Sequence, residues 1–444
     1  MRARGQGLLT VVLVGVIVAL GVSFDRLGAK PPAAARPGAA QSGVWLCPHG
    51  GGPDWVATVN LANPGDAPVQ ARVTSMGAEG SQPSEAVVVP PGSQVRVPTP
   101  AEERGSTTYV EYFGGWVSAG WITRGASGEA GIGAEPCAPE PGRSWFSSGV
   151  STGQDEEGYL VVMNPFATDA VFDVALFFAP PRNPVRDSEL TDVTLGPGRS
   201  VAIKLNGFGE GEVAMGVGMG VSSGRVAAAT TVVSEDRGIA SVLASTATVR
   251  TAYLPTPAGA GQSILSLAVP TDQGSDIGAL LLSKGATRPV PNLAAAALEP
   301  NSAGIFPVTP EGPTSVSVAV QEGGSIMAAL RTQGPGKDDA ATAGTADPAT
   351  AWVVPPTVAG EPAKPGVLIV NPGDTQAIVT IRLLPIDGGG AETTMTVAPA
   401  SVASVDAGFL AAEPDASVLV TAQGGSVIAL GASTSSGSHA DSLF

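Results

Sequence analysis

The chain has 444 residues, of which 59 are Gly and 39 Pro, yet 43% are hydrophobic and only 14% charged. So much apolar content excludes a disordered chain, and so little charge excludes a coiled coil or a long solvated helix bundle. The 39 acidic against 23 basic residues leave a net charge of −16, which repels nucleic acid and anionic headgroups from the folded part.

From the N-terminus, Arg2 and Arg4 precede an uncharged apolar run over 8–24, ended by Asp25 and Arg26. A basic flank before an apolar core predicts an N-terminus in the cytoplasm and the remainder outside. A run of 17 residues is the short limit for a bilayer span and slightly long for a signal-peptide core. No small-x-small cleavage site follows it directly. The expectation is a signal anchor or signal peptide over 1–24. The protein is then single-pass in the cytoplasmic membrane with its C-terminal region extracytoplasmic, or secreted if cleaved. Residues 25–43 read as a Pro/Ala linker.

The rest of the chain writes one pattern four times. Each unit opens on an aromatic, Trp45, Trp145, Tyr253 and Trp352, at separations of 100, 108 and 99 residues. An Asn-Pro step follows at Asn63-Pro64, Asn164-Pro165 and Asn371-Pro372, and the third unit departs from it, with Leu280 to Ser283 in the corresponding place. A strand–turn–strand signal recurs at Pro91-Gly92, Pro197-Gly198, Pro300-Asn301 and Pro399-Ala400. A closing hairpin is expected at Gly114-Gly115, Ser223-Gly224, Gly323-Gly324 and Gly424-Gly425, because such residues permit the positive φ of tight hairpin turns. Period-two alternation between these landmarks predicts strands with one buried face. Residues 293–299 suit a helical turn, but the repeat places a strand there.

The predicted fold is therefore all-β: four tandem immunoglobulin-like β-sandwich domains at 44–137, 143–248, 250–334 and 350–437. A linker is expected at 335–349 and a tail at 438–444. No unit carries the Cys…Trp…Cys signature of true immunoglobulin domains, so the prediction is one of architecture.

Chemistry-bearing residues are few. Cys47 and Cys137 are the chain's two cysteines, and a lone pair outside C-x-x-C spacing makes no zinc site unaided. In an exported chain they are expected to form a disulfide closing 89 intervening residues, worth about 4–5 kcal/mol in the loop-entropy model. The alternative is two buried thiols. His49 and His439 sit in Gly/Ser-rich segments expected to be exposed. G-x-S-x-G occurs around Ser151 and Ser222, without the strand-to-helix turn or the later Asp and His that a nucleophile elbow needs. Gly216, Gly218 and Gly220 do not complete a nucleotide loop and are read as allowing close sheet approach. Asp155-Glu-Glu157 and Asp338-Asp339 lack the spacing of a calcium loop and are read as solvated loop charge. No catalytic residue, metal ligand or cofactor is predicted.

One stretch stands out: Tyr109, Tyr112, Trp116 and Trp121 crowd into the predicted hairpin of the first unit. Exposed aromatics on a sheet can bind a sugar ring or a protein partner, and the competing reading is core packing.

With its Trp45-Leu-Cys47-Pro48 opening, Asn63-Pro64-Gly65 step and second opening Trp145-Phe146, the chain resembles an uncharacterised exported family of high-GC Gram-positive bacteria, a domain of unknown function. That resemblance implies an envelope-associated β-sandwich array with no catalytic residues to carry over. The expected function is non-enzymatic: a membrane-tethered scaffold or protein-interaction module whose partner is a cell-envelope protein. The alternative is a module that binds wall glycan through the hairpin Tyr109–Trp121.

Overall fold

The computed structural model describes residues 41–125, 129, 131–256, 262–333, 339–356, 363–435 and 439–440. The predicted membrane segment 8–24 and all but the last three residues of the Pro/Ala linker lie outside these. No helix among the described residues is long and apolar enough to cross a membrane.

The expectation of an all-β chain holds. The first stretch carries β1 (Ser42–Cys47), β2 (Val56–Asn63), β3 (Val69–Gly77), β4 (Gly80–Ser81), β5 (Glu85–Val89), β6 (Ser93–Pro100), β7 (Thr107–Phe113), β8 (Ser118–Gly125) and β9 (Gly131–Pro136). The second carries β10 (Ser144–Val150), β11 (Glu156–Asn164), β12 (Ala170–Phe177), β13 (Val193–Leu195), β14 (Arg199–Lys204), β15 (Met215–Ser223), β16 (Ala227–Ser234) and β17 (Gly238–Leu243). The third carries β18 (Thr251–Thr256), β19 (Gln262–Val269), β20 (Ser275–Ser283), β21 (Ala286–Pro289), β22 (Ala296–Leu298), β23 (Ser302–Val308), β24 (Thr314–Gly323), β25 (Met327–Gln333) and β26 (Asp339–Ala343). The fourth carries β27 (Ala351–Val354), β28 (Ala363–Asn371), β29 (Ala377–Leu384), β30 (Glu392–Val397), β31 (Ser401–Ser404), the short helix α1 (Ala407–Ala411), β32 (Ser417–Gln423), β33 (Ile428–Ser435) and β34 (His439–Ala440).

Each stretch forms two antiparallel sheets of one order. In the second these are β10-β15-β12-β13 and β14-β11-β16-β17, and the other three repeat them strand for strand, with β4 and β5, or β21 and β22, sharing the fourth place. By position, one sheet runs first–sixth–third–fourth and the other fifth–second–seventh–eighth. The apolar faces of both meet in one core, as where Val73 and Val110 of one sheet join Val59, Leu61 and Trp121 of the other.

The repeated landmarks now have physical causes. Asn63, Asn164 and Asn371 end the second strand of their stretches and are almost fully buried. Each donates through Nδ2 to the carbonyl four residues on (Ala67, Thr168, Thr375) at 2.8 Å, and to Val89, Leu195 or Val397 at 3.0–3.1 Å. Each also accepts through Oδ1 from the amide two residues on. One side chain thus serves the loop carbonyls that no strand can reach. Trp45, Trp145 and Trp352 likewise donate their indole N–H to the carbonyls of Val117, Val226 and Val427. The turn before the fifth strand holds a left-handed residue in all four stretches: Gly92, Gly198, Asn301 and Ala400, with φ of 62°, 62°, 52° and 44°.

Four expectations are corrected. The counterpart of Asn-Pro in the third stretch is Val269-Pro270, not Leu280 to Ser283, which lies in β20. Asn301 N donates to Thr271 O there just as Gly92, Gly198 and Ala400 donate to Gly65, Phe166 and Gly373. The closing hairpins are not hairpins, because the strands that flank each Gly turn belong to opposite sheets. The linker 335–349 contains β26, the eighth strand of its stretch, and the tail 438–444 contains β34. Finally, the four sheet pairs are not merely strung in tandem.

They close on themselves. The outer face of the fifth–second–seventh sheet in each pair packs on the ends of the first, third and sixth strands of the pair before it. Between the first and second pairs the contact extends to Trp55 and Ala101, beside the ends of the second and fifth strands β2 and β6, which meet Tyr159, Val233 and Ile239. Phe177 meets Ala268, Ala303 and Met327 between the second and third. Gly216 would put a Cβ 2.7 Å from that of Ala268, so its missing side chain permits the approach read from the sequence. Leu282 and Tyr253 meet Leu368, Val402 and Leu430 between the third and fourth. The same contact then recurs between the fourth pair and the first, where Arg382 donates to Pro64 O and Gln94 to Asp415 O. The eighth strands β9, β17, β26 and β34 lie side by side in that order, with β34 also beside β9.

Two variants test this reading of the landmarks. Asn164→Ala strands buried carbonyls and should cost about 2–4 kcal/mol in urea unfolding. Ala400→Gly removes a left-handed non-glycine residue and should gain up to about 1 kcal/mol.

Candidate functional site: buried charge between the second and third sheet pairs

The predicted aromatic platform turns inward. Tyr112 and Trp121 are 8% and 0% exposed and share the core of the first pair. Trp116 is half-buried, edge-on to Trp45 with ring centroids 6.3 Å apart. Tyr109 is half-buried against the core of the second pair. The cause is the corner: β7 and β8 belong to opposite sheets, so side chains that a hairpin would lay on a surface face each other across a core. The exposed aromatic here is Phe113, at 45%.

Cys47 and Cys137 form the expected disulfide, with Cα atoms 4.4 Å apart. It joins β1 in one sheet to the residue that follows β9 in the other, inside the core. His49 is not exposed as expected; it is fully buried. Its Nδ1 donates to Gly50 O at 2.7 Å, and its Nε2 lies 3.0 Å from the Thr108 hydroxyl. Burial lowers its pKa to about 4 against the opposing Gly50 bond, so the ring is a neutral bridge. Ser151, of the first G-x-S-x-G, is also buried and bonds Glu156 and Glu212 O.

The densest buried charge is one that the sequence reading assigned to solvent. Arg331 on β25 is 4% exposed. Its Nε donates to both carboxylate oxygens of Asp339 on β26, at 2.7 and 2.8 Å, and its Nη2 reaches Asp339 and Glu156. Glu156 opens β11 in the neighbouring pair and also accepts from Arg237 Nη1 at 3.0 Å and from the Ser151 hydroxyl. Two carboxylates therefore face two guanidiniums across the junction, and the group is neutral as a whole. Burial alone would raise the pKa of Glu156, but the Arg331 charge and hydrogen bond, with Ser151 and Arg237, hold it below the usual carboxylate range. Burial opposes the charge of Arg331, yet Asp339 and Glu156 raise its pKa.

Beside this group lies an open cleft of about 1090 Å³ whose walls include Glu129, Asp155, Glu157, Glu210, Glu235 and Asp236. Glu129 of its wall pairs with Arg104 of the first pair, whose guanidinium is 5.4 Å from the Trp55 ring and 5.0 Å from the Tyr159 ring. The cleft concentrates negative charge, yet among the described residues no set of His, Cys, Asp and Glu is arranged to hold a metal ion. A further carboxyl, Glu135 on β9, is 3% exposed. Burial pushes its pKa well above the ordinary value, against a backbone hydrogen bond at Leu243. Its Oε1 and the Nε1 of Trp121, its cross-strand neighbour, have no partner.

A family model described as a Family of unknown function (DUF5719) matches residues 115–364, more than half of the chain. The chain belongs to this family. The DUF5719 match runs from the corner between β7 and β8 into β28, and so contains the second and third sheet pairs whole, with Glu156, Arg237, Arg331 and Asp339 inside it. No curated protein matches the chain. Among solved structures, the tetra-tandem repeat in the extending region of a large adhesion protein aligns over 89% of this chain and 98% of its own, at 12% identity and a TM-score of 0.12. A likeness that slight carries no argument.

What could have exposed the buried charge in the sequence is the repeat itself. Gly131 to Pro136, Gly238 to Leu243 and Asp339 to Ala343 are, apart from Glu135 and Asp339, runs of small or apolar residues at one place in the pattern.

Removing one member of a buried charge group leaves the others unpaired. Arg331→Met should therefore cost about 3–5 kcal/mol in denaturant unfolding. His49 gives a pH signature. The unfolded chain binds its proton near pH 6.5 and the folded chain only near 4, so its contribution is complete above 6.5 and is lost as pH falls. Stability should drop by about 3 kcal/mol between pH 6.5 and 4. In His49→Gln the part of that slope between 6.5 and 4.5, above the carboxylate range, should vanish from melts taken across pH.

Proposed function

We propose that the chain is a non-enzymatic, membrane-tethered extracytoplasmic scaffold that engages another protein of the cell envelope. In this reading residues 8–24 anchor it, and four immunoglobulin-like sandwiches form the exported body. Their spans are 44–137, 143–248, 250 to Ala343, and 350 to Ala440. The second–fifth and third–sixth strand pairings are those of strands B with E and C with F in an immunoglobulin domain. The end strands have exchanged sheets: the first joins the sixth, and the seventh joins the second.

The observation that carries the proposal is the buried Cys47–Cys137 bond, since disulfides persist in oxidising compartments outside the cytoplasm. The basic-flanked apolar run before it supplies a route there. A scaffold is favoured over a catalyst by how the buried histidine, the buried serine of the first G-x-S-x-G and the buried ion pairs are used. His49, Ser151, Glu156, Arg331 and Asp339 are engaged with one another or with backbone.

Protease added to intact cells should digest the chain while a cytoplasmic marker survives, and the undigested chain should stay with membranes after an alkaline wash. A chain protected until lysis, with Cys47 and Cys137 reduced, would sink the proposal. For the partner, a photo-crosslinking residue at Phe113 in living cells should capture a protein. A glycan adduct instead would favour wall binding.

A further inference from the structure

Four equivalent seams join the sheet pairs, and one differs in chemistry from the other three. The middle of each buried sheet face is a cross-strand row. In the second pair it is Ala202–Val161–Ala229, in the third Ile305–Ser266–Ala329, and in the fourth Ser404–Leu368–Leu430. In the first pair it is Arg96–Asn60–Gly120. The seams in front of the second, third and fourth pairs each contain a buried apolar cluster. Among the described residues none spans the seam between the fourth pair and the first.

Polar contacts hold that seam instead. Gln94 donates through its amide to Asp415 O and accepts from the Ser417 amide and hydroxyl. Arg96 bonds the Asp415 carboxylate at 3.1 Å and its carbonyl at 2.7 Å. Gln94 N also donates to Pro385 O at 3.2 Å. Yet both polar atoms of the Asn60 side chain, the Nε of Arg96 and the Nε of Arg382 are buried without partners.

We propose that this seam is a latch, at which the ring opens and recloses while the other three seams stay shut. Opening an apolar seam exposes buried hydrocarbon to water, at a cost proportional to its area. Opening this one gives water to four polar atoms that lack partners when closed, which favours the open state. The closed state also carries the entropy cost of joining segments some 320 residues apart (Gln94 to Asp415, Arg96 to Asp415). A polar face suits the open state for a second reason. An apolar face at the first pair would accept the fourth pair of another molecule, and a head-to-tail contact of that kind propagates into filaments.

Amide hydrogen exchange on the full chain in detergent tests the latch, because single amides span the seams. The Gln94 and Ser417 amides cross this one, while those of Ala303 and Asp339 cross the seam between the second and third pairs. Gln94 and Ser417 should exchange at least about tenfold faster than Ala303 and Asp339. Raising salt, which screens the half-exposed Arg96–Asp415 pair, should speed the first two alone, as should Arg96→Ala. An oxidised cysteine pair at Gln94→Cys and Ser417→Cys should slow the neighbouring amides of 416–418. Equal exchange at both seams, or a salt response shared by all four amides, would overturn the proposal. The salt series on the natural chain decides this even if a variant fails to fold.

Discussion

Everything in this fold depends on one sheet in each pair being covered on both faces. Strand β16 is buried at all eight of its positions, and β8 at seven of eight. One face of that sheet packs against its partner sheet, and the other needs a cover that the pair does not contain. The second, third or fourth pair alone would therefore expose an apolar layer, and stacking on a neighbour removes it, as in other repeat architectures. Because each contact sets a face against the strand ends of the pair before, it is head-to-tail, and such contacts either close or run on without limit. Here the fourth pair meets the first. Stacking on a neighbour, rather than any single pair, is what buries these faces.

The charged groups fit within that constraint. A neutral set such as Glu156, Arg237, Arg331 and Asp339 adds little net stability over well-packed hydrocarbon, since desolvation offsets the attraction. It is demanding in geometry, because Arg331 must reach Asp339 in its own sheet and Glu156 across the junction at once. A slipped junction would bury unpaired charge at a cost of several kcal/mol. The apolar contact with Phe177 thus supplies adhesion, and the charges fix its register. The disulfide acts at another level: it ties the two sheets of the first pair directly to each other.

Much of this was legible in the sequence where the pattern is local. The strands, the fourfold repeat and the cysteine pair follow from alternation, spacing and composition. The Asn-Pro step was visible as a landmark, although its work, serving carbonyls about 26 residues away, was not. The errors share one origin. A Gly turn between apolar strands reads as a hairpin whether the chain doubles back within a sheet or crosses to the opposite one, because the local dihedral demand is similar. Taking the crossing for a hairpin left Tyr112 and Trp121 open between a surface and a core, and they belong in a core. Asp339 and Glu156 were assigned to solvent for the same kind of reason. A lone carboxylate in a polar stretch looks exposed until the partner that neutralises it is known, and Arg331 lies 175 residues from Glu156 in sequence.

Closure was the least legible feature, because no stretch of the chain encodes it alone. It follows from the rotation between neighbouring pairs, which depends on side-chain volumes at every seam. Small residues carry much of that geometry. Gly216 admits Ala268, Gly120 faces Pro355, and Gly131 lies against the backbone of Gly238 and Ile239. A Cβ added at any of these would meet atoms closer than 3.0 Å, forcing the seam to widen. Widening changes the angle between neighbours, and over four seams a small change in angle accumulates into a gap that does not close. Gly216, first met in a possible phosphate loop, is therefore better understood as one of the residues that set the angle at which sheet pairs meet.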